Sequence, residues 1–568
     1  MNQSLTLSFG CVSNAGVKAL NQDFIGQYIP KDPILALKGA CFVIADGISS
    51  SQVSQVASKA SVQAFLEDYY CTPEAWTTES SVDKVVKSIN SWLFAQSQNS
   101  PYKYDKDKGY VSTFAGLILT CEGAHIFNLG DTRVYRLRDG QLEQITVDHR
   151  KIVSSQQSYL SRALGVNQFV DVDHFVLDIA EGDIFINATD GIYEFVELVK
   201  LIETIDEQKR LQNAAEQIVE QALENKSDDN LSIQIIRVDK IDKQLNQYKL
   251  TELSEFSLPP KLAPRVQFDG FEVIRQIYIS SRSHVYLAKE LATGLDVALK
   301  VPSTELAKDP LYLERFMLED WIAKRVNHVN VIRGIKNDGH KRYLYIATEY
   351  IQGQNLDQWM RDNPKPSLNQ VRHIVRQIAD GLQAFHRQEM IHQDIRPQNI
   401  MIDNNNTVKI IDFGSTYIAG VTELQSDEIT RGTLRYSAPE YFLGQAGTQR
   451  SDIYALAVIV YQMLTGDFPY PNQISQAHSR KAQQKYKYKS IITEESEWPS
   501  WIDEALKKAL QLEPWKRYSE LSEFVFDLHR PNKHFLAKTK PPLIERDPVM
   551  FWQCISLILF ILLIKSWL

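Results

Sequence analysis

Acidic residues at the ends of apolar runs are the first chemical signal in this chain. Ala40-Cys41-Phe42-Val43-Ile44-Ala45 is a short run of buried-strand type that ends at Asp46-Gly47, and the run from Asp183 to Thr189 ends at Asp190-Gly191. Asp229-Asn230 opens the partly alternating run Leu231 to Val238. If neighbouring strands are antiparallel, the end of one lies beside the start of the next, so Asp46, Asp190 and Asp229 can converge at one rim. Convergent carboxylates without His or Cys favour hard cations such as magnesium or manganese. Two such ions can hold a water, lower its pKa and aim the resulting hydroxide at a phosphorus atom. A second set lies far downstream: His392-Gln393-Asp394-Ile395-Arg396-Pro397-Gln398-Asn399, then Asp412-Phe413-Gly414 and Ala438-Pro439-Glu440.

The elements that must position these groups divide the chain. Its 568 residues are too many for one core and suggest two or three domains. Apolar stripes predict one helix carrying Val53, Val56, Ala57, Ala60, Ala64 and Phe65, and another carrying Val82, Val85, Val86, Ile89 and Leu93. A polar stretch with Pro259, Pro260 and Pro264 reads as a linker over 241–267, and a basic, proline-bearing one as a second linker over 531–548. From Val549 to Ile564 only Gln553 and Ser556 interrupt an apolar run, so 549–568 is expected to be a transmembrane helix. Trp552 and Trp567 would anchor it, and Lys538, Lys540 and Arg546 favour a cytoplasmic location for everything upstream. Met1–Thr6 shows no signal-peptide pattern. A net charge of -8 gives no electrostatic footprint for nucleic acid. Five scattered cysteines, none in a C-x-x-C pair, point to a reducing compartment without zinc or disulfides.

An ordered set of motifs over about 5–240 comprises Lys18-Ala19-Leu20-Asn21-Gln22-Asp23, Asp46-Gly47, Gly130-Asp131-Thr132-Arg133, Thr146-Val147-Asp148-His149, Ser161-Arg162-Ala163-Leu164-Gly165, Asp190-Gly191 and Asp228-Asp229-Asn230. It resembles the metal-dependent protein serine/threonine phosphatases of type 2C. The resemblance implies an antiparallel β-sandwich flanked by helices. It also implies two manganese or magnesium ions bridged by Asp46, with the Gly47 carbonyl on one and Asp190 and Asp229 on the other. Asp23 would orient metal-bound water, and Asp131 would serve a third, weaker site. Lys18 stands where the family usually has a phosphate-gripping arginine; lysine keeps the charge and loses the fork. Ile48-Ser49-Ser50 replaces the glycines often found after Asp46-Gly47, and His149 has no assigned role.

From about 268 to 530 the chain resembles the eukaryotic-type protein serine/threonine kinases, a small sheet lobe over a larger helical lobe. The resemblance places Lys300 of Val297-Ala298-Leu299-Lys300 on the phosphates of ATP and Glu319 as its ion-pair partner. Asp394 would accept or orient the proton of the attacking hydroxyl, while Asn399 and Asp412 hold magnesium. Arg396 replaces the usual catalytic-loop lysine. Ile277 and Val285 would enclose the nucleotide, and Glu349 and Ile351 are hinge positions facing adenine. Asp452 and Arg517 would brace the large lobe, Arg517 pairing with Glu440. Where a glycine-rich loop should stand, Tyr278-Ile279-Ser280-Ser281-Arg282-Ser283 has none of the three glycines. Gln393 replaces an arginine that normally pairs with an activation-segment phosphate, so phosphorylation of Thr422, Ser426 or Thr430 is not expected to be required.

The expectation is thus an α+β multidomain chain with a β-sandwich phosphatase, a bilobal kinase and one C-terminal transmembrane helix. It would phosphorylate and dephosphorylate proteins on serine or threonine, itself among the candidate substrates, at the cytoplasmic face of a bacterial inner membrane. The alternative is an active phosphatase with a pseudokinase that senses nucleotide or docks partners.

Overall fold

The computed structural model describes residues 4–567 apart from 155–156, 208–209, 243–257, 304, 307–308, 336–340, 423–433, 494–497, 533–534 and 536–547. Most of both expected linkers therefore lies outside the described residues.

Two antiparallel five-stranded sheets face each other in the first domain. One runs Leu5–Asn14, Leu231–Ile241, Ile184–Ala188, Arg133–Arg138, Gln141–Gln144 in spatial order, and the other Asp173–Leu177, Ala124–Leu129, Phe114–Leu119, Ala40–Ala45, Phe24–Tyr28. The unbroken apolar run 40–45 is explained by burial on both faces. Ala40, Phe42 and Ile44 point between the sheets toward Leu117, Phe185 and Ile236. Cys41, Val43 and Ala45 point outward under Phe65, Tyr69, Val82 and Val85 of the helices Ser54–Tyr69 and Thr78–Gln98. Thr77 caps the second of these, its hydroxyl accepting from the Ser80 N–H. Val56, assigned to the buried stripe of the first helix from spacing, is instead 41% exposed, and Val62 takes an inner place. Helix Leu211–Glu224 covers the other sheet through Ala214, Ala215 and Ile218.

Antiparallel register brings the acidic ends together. Ala188 pairs with Ile233, so Asp190 and Asp229 share one rim. Ala45 pairs with Phe24, which sets Asp46 beside Asp23. Asp131 sits in the turn between Ala124–Leu129 and Arg133–Arg138, whose ends pair with Phe114 and Ala188.

The second domain begins with an antiparallel sheet of Gln267–Phe268, Phe271–Ile279, Ser283–Glu290, Asp296–Pro302 and Ile346–Glu349. Helix Pro310–Arg325 starts at Asp309, whose carboxylate accepts from the Leu311 and Tyr312 N–H groups. The large lobe is built on helices Leu368–His386, with a Ser367/Gln370 capping box, and Gln449–Thr465, which is buried nearly all round. Arg517 makes the expected pair with Glu440, Nη1–Oε1 2.7 Å and Nη2–Oε2 2.6 Å, both side chains almost wholly buried. Its remaining N–H groups donate to the carbonyls of Gln511, Arg450 and Leu512. Such satisfaction makes a buried ion pair tolerable.

The expected transmembrane segment coincides with helix Pro548–Trp567, whose side chains beyond Leu559 lie outside the described residues. Among the described residues no helix is long and apolar enough to cross a membrane.

Removing one partner of the Arg517–Glu440 pair strands a buried charge. Arg517→Met is expected to destabilise the second domain by about 3–5 kcal/mol, read from the midpoint of its urea transition; a shift under about 1 kcal/mol would show that the pair is not structural.

Candidate active sites

At the rim of the sandwich the backbone is pinned before any side chain acts. The Asp46 N–H donates to Thr113 Oγ1 at 2.8 Å, and the Asp46 carbonyl accepts from Thr113 N (2.8 Å) and Ser112 Oγ (3.0 Å). Gly47 follows in a close approach: a Cβ there would lie 2.8 Å from Ser54 Cβ and 2.9 Å from the Gln22 carbonyl oxygen. Only glycine fits. Burial, then the fields of Asp23, Asp190 and Asp131, push the Asp46 carboxyl far above its ordinary range. Burial and the charges of Asp131 and Asp229 raise Asp190 to about 7 against the pull of Arg150. Burial raises Asp23 as well. The five predicted carboxylates are thus close enough to repel one another, which is the convergence that strand order implied.

No group of three or more Asp, Glu, His or Cys side chains among the described residues stands in metal-holding geometry. The reason is visible in the cations beside them. Arg150 reaches Asp131 through Nε, Asp190 through Nη2 at 2.9 Å and Glu194 through Nη1 at 2.9 Å. Lys18 Nζ pairs with Asp229 and touches Ser49 Oγ at 2.8 Å. Lys18, assigned to substrate phosphate, therefore lies among the carboxylates themselves. Yet Asp23 Oδ1 and Asp190 Oδ1 are buried with no hydrogen-bond partner among the described residues. Unpartnered acidic oxygens in a field of like charge fit divalent cations, and an oxygen-only donor set fits magnesium or manganese. Sequence reasoning missed Arg150, which carries no motif signal, and Thr189, whose hydroxyl donates to Asp23 Oδ2 at 3.0 Å. His149 proves to be structural: its Nδ1 accepts from the Gly130 N–H (3.1 Å) and its Nε2 meets Asp173 (2.9 Å).

In the second domain Lys300 on strand Asp296–Pro302 lies opposite Val285 and reaches Glu319 Oε1 at 2.6 Å, Oε2 at 2.8 Å and Asp412 Oδ1 at 3.1 Å. Burial alone would lower the Lys300 pKa, but Asp412 and Glu319 outweigh it and hold the ammonium above its usual range. Burial also opposes ionisation of Asp412, and Lys300 wins again, drawing it to about 2. Asp394 differs: burial pushes it up to about 6 against Arg396, whose Nε stands 3.4 Å from Oδ2. Two neighbouring carboxyls pulled apart in this way suit a fixed anion and a proton acceptor. Asn399 Nδ2 donates to the Asp394 carbonyl (2.9 Å) and Oδ2 (2.8 Å), while Asp394 Oδ1 is buried with no hydrogen-bond partner among the described residues. Gln393 and Asp412 hold left-handed backbone (φ 65 and 68). The first is secured by Asp452, which accepts from the N–H groups of His392 and Gln393 at 3.0 Å each.

The nucleotide-side positions are less uniform. Ile277 sits at a register irregularity in Phe271–Ile279, half-buried. Glu349 ends strand Ile346–Glu349, with its N–H on the Arg333 carbonyl (3.0 Å) and its carboxylate on Lys409 (2.7 Å); Ile351 is buried. The glycine-free loop closes by other means. Ser280 Oγ accepts from the N–H groups of Arg282 (3.3 Å) and Ser283 (3.0 Å), and none of Ser280 to Arg282 adopts positive φ. Tyr312, on the Glu319 helix, donates its hydroxyl to the Arg282 carbonyl. Of the three candidate phosphorylation positions, Ser426 and Thr430 lie outside the described residues, and Thr422 is tied to Ile418 by its hydroxyl (2.8 and 3.2 Å).

The two folds match two families. Residues 13–232 match the family model of protein phosphatase 2C and residues 271–527 that of the protein kinase domain. The chain therefore carries a protein phosphatase 2C domain followed by a protein kinase domain. It is 28% identical over 295 residues to the serine/threonine-protein kinase PrkC of Bacillus subtilis, covering 49% of this chain and 44% of that one. The chain spans less than half the length of the curated relatives it matches. Among solved structures, the catalytic domain of the serine/threonine protein phosphatase PstP in complex with two manganese ions is 23% identical (TM-score 0.35), covering 42% of this chain and 100% of that one. The kinase domain of Mycobacterium tuberculosis PknI is 25% identical (TM-score 0.37), covering 48% and 98%.

Arg150 competes with any cation for Asp131 and Asp190. Arg150→Ala is expected to bind manganese about fivefold more tightly by calorimetry, the scale of a partly exposed ion pair; weaker binding would make Arg150 a support of the metal site.

Proposed function

We propose that this protein is a bifunctional enzyme that transfers phosphate from ATP to protein serine or threonine and hydrolyses phosphoproteins. The observation that carries the reading is the pairing of Lys300 with Glu319 and Asp412 together with that of Asn399 with Asp394, in a chain that also holds a separate rim of five crowding carboxylates. In the kinase half, Lys300 fixed by Glu319 would grip the ATP phosphates, Asp412 and Asn399 would hold magnesium, and Asp394 would take the proton of the attacking hydroxyl. Arg396, its Nε 3.4 Å from Asp394 Oδ2, would keep positive charge beside the transferred group. The pseudokinase alternative is not favoured: the Lys300–Glu319 pair and the Asn399–Asp394 contact support a working kinase, and Ser280 closes the glycine-free loop.

In the phosphatase half, Asp46, the Gly47 carbonyl, Asp190 and Asp229 would hold two manganese or magnesium ions, with Asp131 serving a third. Such ions supply a hydroxide nucleophile at neutral pH. Asp23, buried and oriented by Thr189, would position the water, and Lys18 would meet the substrate phosphate. Both halves imply phosphoprotein substrates, and this chain would itself be one of them.

We further infer that the C-terminal helix anchors the protein to a bacterial inner membrane with both domains in the cytoplasm. Support comes from its apolar sequence and from the exposure of Val549, Met550, Trp552, Leu557, Ile558 and Leu559. A chain ending at Pro548 is expected to move from the membrane to the soluble fraction; retention on the membrane would remove the anchor.

Incubation with labelled ATP tests the enzymatic reading. Asp394→Ala is expected to abolish incorporation, while Asp46→Ala, with manganese present, is expected to raise it by removing hydrolysis. Because Asp394 acts as the carboxylate, incorporation in Asp46→Ala should rise with pH through about 6 and then level. Equal incorporation with and without Asp394 would overturn the kinase assignment.

A further inference from the structure

The helix that carries Glu319 has two faces with different partners. Glu319 points to Lys300, while Glu314, Trp321 and Arg325, spaced seven and four apart, form a separate stripe. That stripe meets the phosphatase domain. Lys84 Nζ pairs with Glu314 Oε1 at 2.8 Å and lies 5.1 Å over the Trp76 ring. Trp321, fully buried, meets Trp76 edge-on at 5.7 Å and donates its indole N–H to the Asp68 carbonyl at 3.3 Å. Arg325 pairs with the Asp68 carboxylate (2.9 Å) and donates to Ser88 Oγ (2.9 Å).

The same phosphatase helix, Thr78–Gln98, continues to a second part of the kinase. Trp92 Nε1 donates to the Arg387 carbonyl at 3.0 Å. Gly420, at the start of the activation segment with φ +78, abuts it so closely that a Cβ would lie 2.3 Å from Ser91 Oγ and 2.8 Å from the Lys87 carbonyl oxygen. One rigid helix thus touches both kinase elements whose placement decides whether Lys300, Glu319 and Asp412 come together. The apolar core is continuous across the boundary, Trp76 and Val82 sharing a cluster with Trp321 and Ile322. Gln393, being neutral, offers no charge with which a phosphorylated activation segment could be held, so the segment needs another support.

We propose that the phosphatase domain is an intramolecular activating brace of the kinase, its helix Thr78–Gln98 holding the Glu319 helix and the start of the activation segment in the phosphoryl-transfer arrangement. This rests on the kinase reading above. The brace would work by favouring the position seen here, in which the helix meets the phosphatase domain and Glu319 meets Lys300 at once, over any position that breaks these contacts. It is independent of phosphate hydrolysis, since none of the contacting residues belongs to the acidic rim.

The test uses the full chain with Lys84→Glu and Trp92→Ala, singly and together, and Lys84→Glu with Glu314→Lys. The initial rate of ADP formation with casein as phosphoryl acceptor reads the kinase without interference from dephosphorylation. Manganese-dependent hydrolysis of p-nitrophenyl phosphate reports that the phosphatase domain is folded. Amide hydrogen exchange over 310–325 and 417–421 reads the two braced elements directly. The double variant Lys84→Glu/Trp92→Ala is expected to lose about tenfold in ADP release, a usual size for coupling between sites. Exchange in both segments should rise, aryl phosphate hydrolysis should persist, and Glu314→Lys should restore the loss caused by Lys84→Glu. Unchanged exchange, or raised exchange with unchanged ADP release, overturns the brace. If the parent chain releases no ADP, the kinase reading fails, and the exchange measurement alone then decides whether the helix is held.

Discussion

A lysine ammonium enclosed by two carboxylates is the interaction on which the kinase half depends. Lys300 cannot lie in that pocket unpaired, and Glu319 and Asp412 cannot approach each other without it. Burial raises the Glu319 carboxyl to about 7 against the pull of Lys300, so the triad carries an excess negative charge once Glu319 is ionised, and a polyphosphate then suits it only when a divalent cation accompanies it. Three separate elements must therefore be fixed together: the strand with Lys300, the helix with Glu319 and the turn with Asp412. The strand is set by its register opposite Val285 and the turn by the Gly414 N–H and Phe413, which is buried against Phe385. The helix differs from the other two in having partners on both sides of the domain boundary. Its outer stripe finds its partners in the neighbouring domain.

The phosphatase rim solves a related problem differently. Five carboxylates lie at the ends of strands whose order is fixed by the sandwich core, so the charge is gathered by backbone topology rather than by one helix. Polar side chains from beneath hold it in place: Thr113 on the Asp46 backbone, Thr189 on Asp23, Asn230 on the carbonyls of Ala15 and Leu20. The rim's backbone is thus held by strands that the sandwich core already fixes, which suits a domain that also serves as a support.

Much of this was legible in the sequence because strand ends and motif order are local signals. The runs 40–45 and 231–238 gave strands, and the carboxylates at their ends proved to converge because antiparallel pairing leaves them no other place. Glu319 and the Arg517–Glu440 pair were found through order and company. Val56 was misplaced because spacing alone cannot tell which side of a short apolar stripe meets the sheet. Arg150 escaped notice because a single arginine between motifs carries no pattern. The ties among Trp76, Trp321, Lys84 and Glu314 were invisible for a deeper reason: they join residues more than 200 positions apart, and each has an ordinary local explanation.

Arg150 and Lys18 carry a last consequence. Both act as built-in counter-ions, neutralising part of the acidic rim from within the fold. A domain furnished in this way balances part of its acidic rim without a metal. Ions binding there would compete with Arg150 and Lys18 for the same carboxylates, so the affinity of the rim would be set in part by how readily these two cations give way.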